Sequence, residues 1–337
     1  MRRLAAGLLL WILFFLISVG LGYSGLNRYD PRKQLPDAAV YARLAAAGPQ
    51  AIESHFRFRI LVPFLARTLN RVVQGHTGSW NPLMFSFLVV NASFVATTAY
   101  LTVKIGSAHL ASYPLALFGA ALYLLNFAIT NLQLAALVDS AEACLLMAIV
   151  AGMFYGRWAL LPFLGFVGSL AKESFIPFSA VMCLGWWIAS KNRKEGHALL
   201  WIAGMVAVEI LTILVLQSVI SGRTIWPWDF ALALNSPTSF GTNLLHSIVD
   251  RNSWYVLVWL APLGLAAIKQ FPQEWIAAAG AGTLTAIVLN AYHSTVGGGG
   301  GGIGRYIFDV AGPLLSLAAA AFLSRYLSEN QPSAALD

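Results

Sequence analysis

The sequence predicts an all-α integral membrane protein, a polytopic bundle of about ten transmembrane helices forming a single transmembrane domain over residues 1–337. Two observations lead to this fold class. The composition is 58% hydrophobic and 10% charged, with mean hydropathy +0.70, too apolar for a soluble domain to cover its own surface. Lysine and arginine also recur at alternate ends of the apolar runs, as the positive-inside rule expects.

Met1-Arg2-Arg3 precedes an apolar run from Leu4 to Leu21. Ser18-Val19-Gly20 would serve as a signal-peptide cleavage site, but the run is long enough to span and reads as an uncleaved anchor. Further apolar segments lie at about 81–103, 109–130, 132–155, 158–171, 175–190, 198–220, 254–269, 275–292 and 304–324. With Arg2 and Arg3 cytoplasmic, alternate crossings put Lys104, Arg157, Lys191, Arg193, Lys194, Lys269 and Arg325 on the cytoplasmic side. The expected location is the plasma membrane, a bacterial inner membrane, with the N-terminus cytoplasmic and the opposite, periplasmic face carrying the long loops. These are 23–80, the Trp/Pro-rich 221–253 and the Gly-rich 293–304 connection. The segments around Lys172-Glu173 are short and would also suit a re-entrant hairpin.

Several functions are disfavoured. The net charge of +7 follows from membrane anchoring and a basic loop, and forms no nucleic-acid stripe. The run from Gly297 to Gly302 matches a dinucleotide fingerprint only trivially, since no strand precedes it. No zinc spacing, P-loop or nucleophile elbow occurs. Cys144 and Cys183 sit in separate apolar segments and read as small core residues.

Ionisable groups in hydrocarbon cost about 2.5–3.5 kcal/mol on insertion scales, so each needs a reason. Asp139 and Glu142, three residues apart, share a face of the helix expected to start near Leu132, with Asp139 about 10 Å below its outer end. They read either as an internal salt-bridged pair or as cavity residues. Lys172 and Glu173 occupy an outer turn, as interfacial anchors or as site residues. Arg305-Tyr306 opens the last helix, as an end anchor or a ligand contact. Glu209 lies mid-helix, packing or functional.

The 23–80 loop carries two amphipathic pieces. Asp37 to Ala46, after Pro36, reads as a helix with Asp37 in its first turn, a placement the helix dipole alone would favour. Phe56-Arg57-Phe58-Arg59-Ile60-Leu61-Val62-Pro63 through Arg71 alternates basic and apolar residues, suited to the bilayer interface and lipid phosphates. A carboxylate acting as general base and cations facing a phosphate would together suit group transfer from a lipid phosphate.

In this order the motifs resemble the GT-C superfamily of polyprenyl-phosphate-sugar-dependent glycosyltransferases, including aminoarabinose transferases and protein O-mannosyltransferases. The likeness rests on Asp37-x-x-x-Tyr41, Phe58-Arg59-Ile60-Leu61-Val62-Pro63, Val138-Asp139-Ser140-Ala141-Glu142, Gly168-Ser169-Leu170-Ala171-Lys172-Glu173-Ser174 and Gly304-Arg305-Tyr306, about residues 30 to 310. The resemblance implies a GT-C-like bundle and Asp37 as the catalytic or acceptor-binding carboxylate, with Asp30 as its competitor. Arg57, Arg59, Lys172 and Arg305 would meet the donor phosphate, and Tyr41, Asp139, Glu142, Glu173 and Tyr306 would line the substrate cavity. The implied partners are a lipid-linked sugar donor and the bilayer, with the acceptor unspecified. A divalent cation, Mg or Mn, would find ligands in Asp30, Asp37 or His55, though no spacing demands one. The chain departs from the superfamily at Asp37-Ala38, where a second acid is common, and lacks the C-terminal soluble domain of larger members. A transporter or flippase, or a non-catalytic subunit of the same fold, are the alternatives. Transport would predict an inverted repeat and polar groups in both halves of the bundle.

Overall fold

The computed structural model describes residues 2–28, 36–78, 80–190, 196–226, 240–249, 251–293 and 302–329. These residues are helical and contain no strand. The helices are α1 (Arg2–Arg28), α2 (Pro36–Ala47), α3 (Leu61–Val73), α4 (Pro82–Leu110), α5 (Tyr113–Leu124), α6 (Asp139–Phe154) and α7 (Leu161–Ala171). They continue with α8 (Phe175–Ala189), α9 (Gly196–Ser221), α10 (Phe240–Val249), α11 (Arg251–Leu257), α12 (Leu260–Ala267), α13 (Gln273–His293) and α14 (Gly302–Glu329). Five of them, α1, α4, α9, α13 and α14, are long and apolar enough to cross a membrane, which makes this a helical membrane protein. The apolar α5, α7 and α8 are shorter. Cys144 and Cys183 are buried free thiols, as their apolar settings predict.

Local chemistry sets the long helices. Asn81 caps α4 by accepting from the amides of Leu83 (3.0 Å) and Met84 (3.2 Å), and Pro82 fills the first turn, where no amide is needed. Glycine lets the central helices close up. A Cβ on Gly106 would come within 2.5 Å of the Leu317 side chain, and one on Gly119 within 3.0 Å of the Leu317 Cα. Without hydrophobic drive between helices in lipid, such close backbone approach is the main source of packing energy. α14 thus sits at the centre, against α5, α12 and α13, with Leu314 through Ala321 buried.

Between α5 and α6 the helix is interrupted over residues 125–138, apart from a short helical stretch at 127–133 that is π-helical over Ile129–Gln133. Irregular backbone at membrane depth persists only where its polar groups find partners inside the protein. Two asparagines supply them. Asn91 donates to the carbonyls of Ala135 and Leu137 and accepts from Ser140 Oγ at 2.7 Å. Asn126 accepts from the Ala128 amide and donates to the Val256 carbonyl, both at 2.9 Å. α6 therefore starts at Asp139, not near Leu132, and both acids fall in its first turn, where the helix dipole favours them.

The segments expected to be loops are partly helical. Residues 36–78 form α2, a 3₁₀ turn at His55–Phe58, and α3, and 240–249 is α10, packed on α13. Positions 29–35, 227–239 and 294–301 lie outside the described residues, and with them Asp30 and most of the glycine run.

Candidate functional site

The tight turn between α7 and α8 organises the site. Lys172 leaves α7 in an extended conformation (φ −166°, ψ 141°) while its amide still bonds the Gly168 carbonyl at 3.2 Å. Phe175 folds its ring onto Gly168, where a Cβ would come within 2.1 Å of it, so this close reversal requires glycine. The turn then delivers three polar side chains in succession. Lys172, 2% exposed, donates to Asp139 Oδ1 (2.8 Å) and Glu142 Oε2 (2.7 Å). Ser174 donates to the other Glu142 oxygen at 2.5 Å.

Glu173, between them, points to the 36–73 segment. Arg59 grips its carboxylate with two nitrogens, Nε to Oε2 at 2.8 Å and Nη2 to Oε1, and gives Nη1 to the Tyr41 hydroxyl at 2.7 Å. Its guanidinium also lies 4.7 Å from the centre of the Phe56 ring. Burial by itself would raise the Glu173 carboxyl; the adjoining guanidinium and its hydrogen bonds outweigh this and hold it down at about 2. Burial raises the Tyr41 hydroxyl, so it stays protonated beside Arg59. Arg57 bonds Ser221 Oγ at 2.9 Å and Gln50 the Ile220 carbonyl at 3.0 Å, fastening the same segment to the end of α9.

α14 contributes the third wall. Arg305 Nη1 lies 3.6 Å from Asp139 Oδ2 and Nη2 donates to the Tyr306 hydroxyl at 3.0 Å. The Tyr306 ring sits under both cations, 4.5 Å from Lys172 Nζ and 4.7 Å from the Arg305 guanidinium. One turn on, Asp309 accepts from Gln133 Nε2 at 2.8 Å, and Gln133 accepts from the Tyr123 hydroxyl at 3.1 Å. Pro313 has no amide for the Asp309 carbonyl, so the helix ladder is interrupted there.

The short helices place this cluster below the ends of the long ones. Ser179 on α8 donates to Glu209 on α9 at 2.7 Å, which sets the relative height of the two. From Glu209, α9 rises about 18 Å to Ser221, whereas α8 rises only about 8 Å from Ser179 back to Ser174. Measured along each helix from that contact, the start of α8 is thus nearer to it than the end of α9. The 36–73 segment reaches from that end down to Glu173.

Of the residues singled out from sequence, Asp139, Glu142, Lys172, Arg305 and Tyr306 form one cluster, and Arg59, Tyr41 and Glu173 form a second that shares its turn. Arg59 is spent on Glu173 and Tyr41, whereas Arg57 bonds Ser221 and, like Arg305, keeps a buried Nε without a partner. Asp37 is half-buried, one helical turn before Tyr41 and on the same face of α2. It makes no hydrogen bond or ion pair with the described residues. His55 is exposed, stacks on Phe56 and stands close enough to Glu173 to act on its charge. Sequence reading missed Asp309, Gln133 and Ser174. The spacing Arg305-x-x-x-Asp309, one turn apart, was the signal for the first.

Asp139, Glu142 and Asp309 have oxygens within 4.8 Å of one another, a spacing a cation can bridge. The Lys172 ammonium already takes that position on the first two. No protein-family model matches the chain, and no curated protein is significantly similar to it.

Proposed function

We propose that this protein is a membrane glycosyltransferase of GT-C type, with about ten crossings, moving a sugar from a polyprenyl-phosphate donor to a lipid, glycan or protein acceptor at the outer face of the membrane. The observation that carries the reading is the convergence of Lys172, Arg305 and the Asp139–Glu142 pair beside the turn whose Glu173 is bound by Arg59 of the 36–73 segment. Of the two arginines with a buried, unpartnered Nε, Arg57 and Arg305, the phosphate contact favoured is Arg305, which belongs to the Lys172 cluster and whose one carboxylate contact is long. Lys172 and Tyr306 would support it. The Asp139–Glu142 pair orients Lys172.

Asp37 is the group suited to act as general base. It is unpaired among the described residues and lies one turn from Tyr41, whose hydroxyl is tied to Arg59. An isoprenoid chain would find a groove of about 400 Å3 between α3 and α4, lined by Leu65, Leu69, Val72, Val89, Val90 and Phe94. The two hydroxyls there, Thr68 and Ser93, are satisfied by their own helix carbonyls, so the groove offers nothing polar. A divalent cation is not needed to position the groups described.

The test is transfer from a radiolabelled polyprenyl-phosphate sugar by the purified chain in lipid vesicles. Asp37→Asn should lower the rate about 10²–10⁴-fold, the range for a lost general base, with donor binding unchanged. An unchanged rate overturns the assignment of Asp37. No transfer by the wild type from any such donor overturns the function.

A further inference from the structure

The buried cluster does not balance its charge. Asp139 and Glu142 on α6 and Asp309 on α14 are 3%, 0% and 4% exposed, and their oxygens share a 4.8 Å neighbourhood. Two cations face them, Lys172 from the α7–α8 turn and Arg305 from α14. The remaining polar groups around Asp309 are Gln133, Tyr123 on α5, Tyr306 and the Cys144 thiol on α6 near Tyr123, none of which adds a positive charge. Arg59 is committed to Glu173. One negative charge is left over in a site of low dielectric, where an uncompensated charge is far costlier than a neutral acid.

The hydrogen bonds indicate which carboxyl is neutral. Glu142 accepts from Lys172 and Ser174, and Asp139 accepts from Lys172 and faces Arg305, as ionised groups should. Asp309 takes a single bond, from a neutral amide, and its Oδ2 is buried without a partner. Arg305 Nε, one turn away on the same helix, is also buried without a partner. An unpaired buried acceptor has no reason to stay so. A protonated Oδ2 is instead a donor, and two unused donors a turn apart define a place for an anionic oxygen.

We propose that Asp309 is held as a neutral carboxylic acid whose Oδ2–H, together with Arg305 Nε–H, receives an anionic oxygen of the phosphate ligand. The ligand half rests on the proposed function, while the proton itself rests on the cluster alone. Binding the anion then requires no further ionisation of the site, and loss of the Asp309 proton opposes binding by adding a like charge.

Infrared spectroscopy of the full chain in detergent separates the two halves, because a neutral carboxyl has a carbonyl band distinct from a carboxylate. The measurement is made in a Glu209→Gln background, because Glu209 is the other carboxyl among the described residues with a buried, unpaired oxygen and would add a carbonyl band of its own; at pH 7 the remaining band should be lost when Asp309→Asn is added. A spectrum unchanged by Asp309→Asn overturns the proton. If that variant does not fold, the Glu209→Gln parent decides: a carbonyl band persisting to pH 8 supports the neutral acid, and only carboxylate absorption overturns it. Geranyl phosphate is the ligand probe. It should shift the band to lower frequency as the hydrogen bond forms, and Asp309→Leu should weaken its binding at least tenfold while Asp309→Asn, which keeps a donor, stays within about threefold. Binding without a band shift overturns the donor role, and no binding to the wild type sinks the phosphate reading while the proton stands or falls on the first measurement.

Discussion

Lys172→Met tests whether the ammonium is the hub of the buried cluster. Methionine fills nearly the volume of the lysine stem, so the change removes charge and hydrogen bonds with little cavity. At the observed 2.8 and 2.7 Å, each pair has a gross attraction of about 6 kcal/mol at an effective dielectric of 20. Much of that offsets the desolvation of three buried groups. The measurable quantity is the cost of leaving two carboxylates buried without their cation, about 3–5 kcal/mol for removal of one partner. Unfolding in mixed micelles, followed by circular dichroism, should show a loss of that order. The decisive arm is the triple variant Lys172→Met/Asp139→Asn/Glu142→Gln, which removes all the charge and should recover most of the loss. A single-variant loss below about 1 kcal/mol, or a triple variant no more stable than the single, would refute the hub role.

Two other predictions concern the elements that hold the turn. The Glu173 carboxyl is held at about 2 against an ordinary 4.5, so the Arg59 pair contributes fully above about pH 4.5, weakens as pH falls, and is lost near pH 2. The difference in stability between wild type and Glu173→Gln should follow that window, with a ceiling of roughly 3 kcal/mol at neutral pH; a difference constant with pH contradicts it. Gly168→Ala should destabilise by about 1–3 kcal/mol or more, because its Cβ meets the Phe175 ring at 2.1–2.4 Å. Gly280→Ala, with nothing within 4 Å, is the control and should be neutral or slightly stabilising in a thermal melt.

What the sequence conveyed and what it did not divide along physical lines. Long apolar runs give α1, α4, α9, α13 and α14 because spanning a bilayer with helix demands that length and composition. Lys172 and Glu173 stand out for the same reason, as charges that hydrocarbon would reject unless paired. The break at residues 125–138 was hidden, since an apolar stretch reads alike whether it is helix or buried irregular chain. What permits the break is Asn91, a residue more than thirty positions away, and no local pattern records that. Asp309 sits inside the apolar run of the last helix, and nothing local records that α6 brings two further carboxylates to it. Asp37 was legible as a helix N-terminal acid, but its distance from the Lys172 cluster is set by how α2 and α3 pack, which spacing along the chain does not encode.

The cluster is also hard to explain as a device for stability. Helices in a membrane can be joined by close glycine and alanine contacts, and α4, α5 and α14 are joined that way around Gly106, Gly119 and Leu317. Replacing a buried ionic group by apolar residues of equal size is often neutral or stabilising. Yet α6, the α7–α8 turn and α14 meet through three carboxylates and two cations, and that network still leaves Arg305 Nε and Asp309 Oδ2 unused. A network built only to hold helices together would close its hydrogen bonds. The proposed phosphate would offset the cost of those two unpaired atoms by accepting from both, which is how a preorganised binding site would differ from a structural salt bridge.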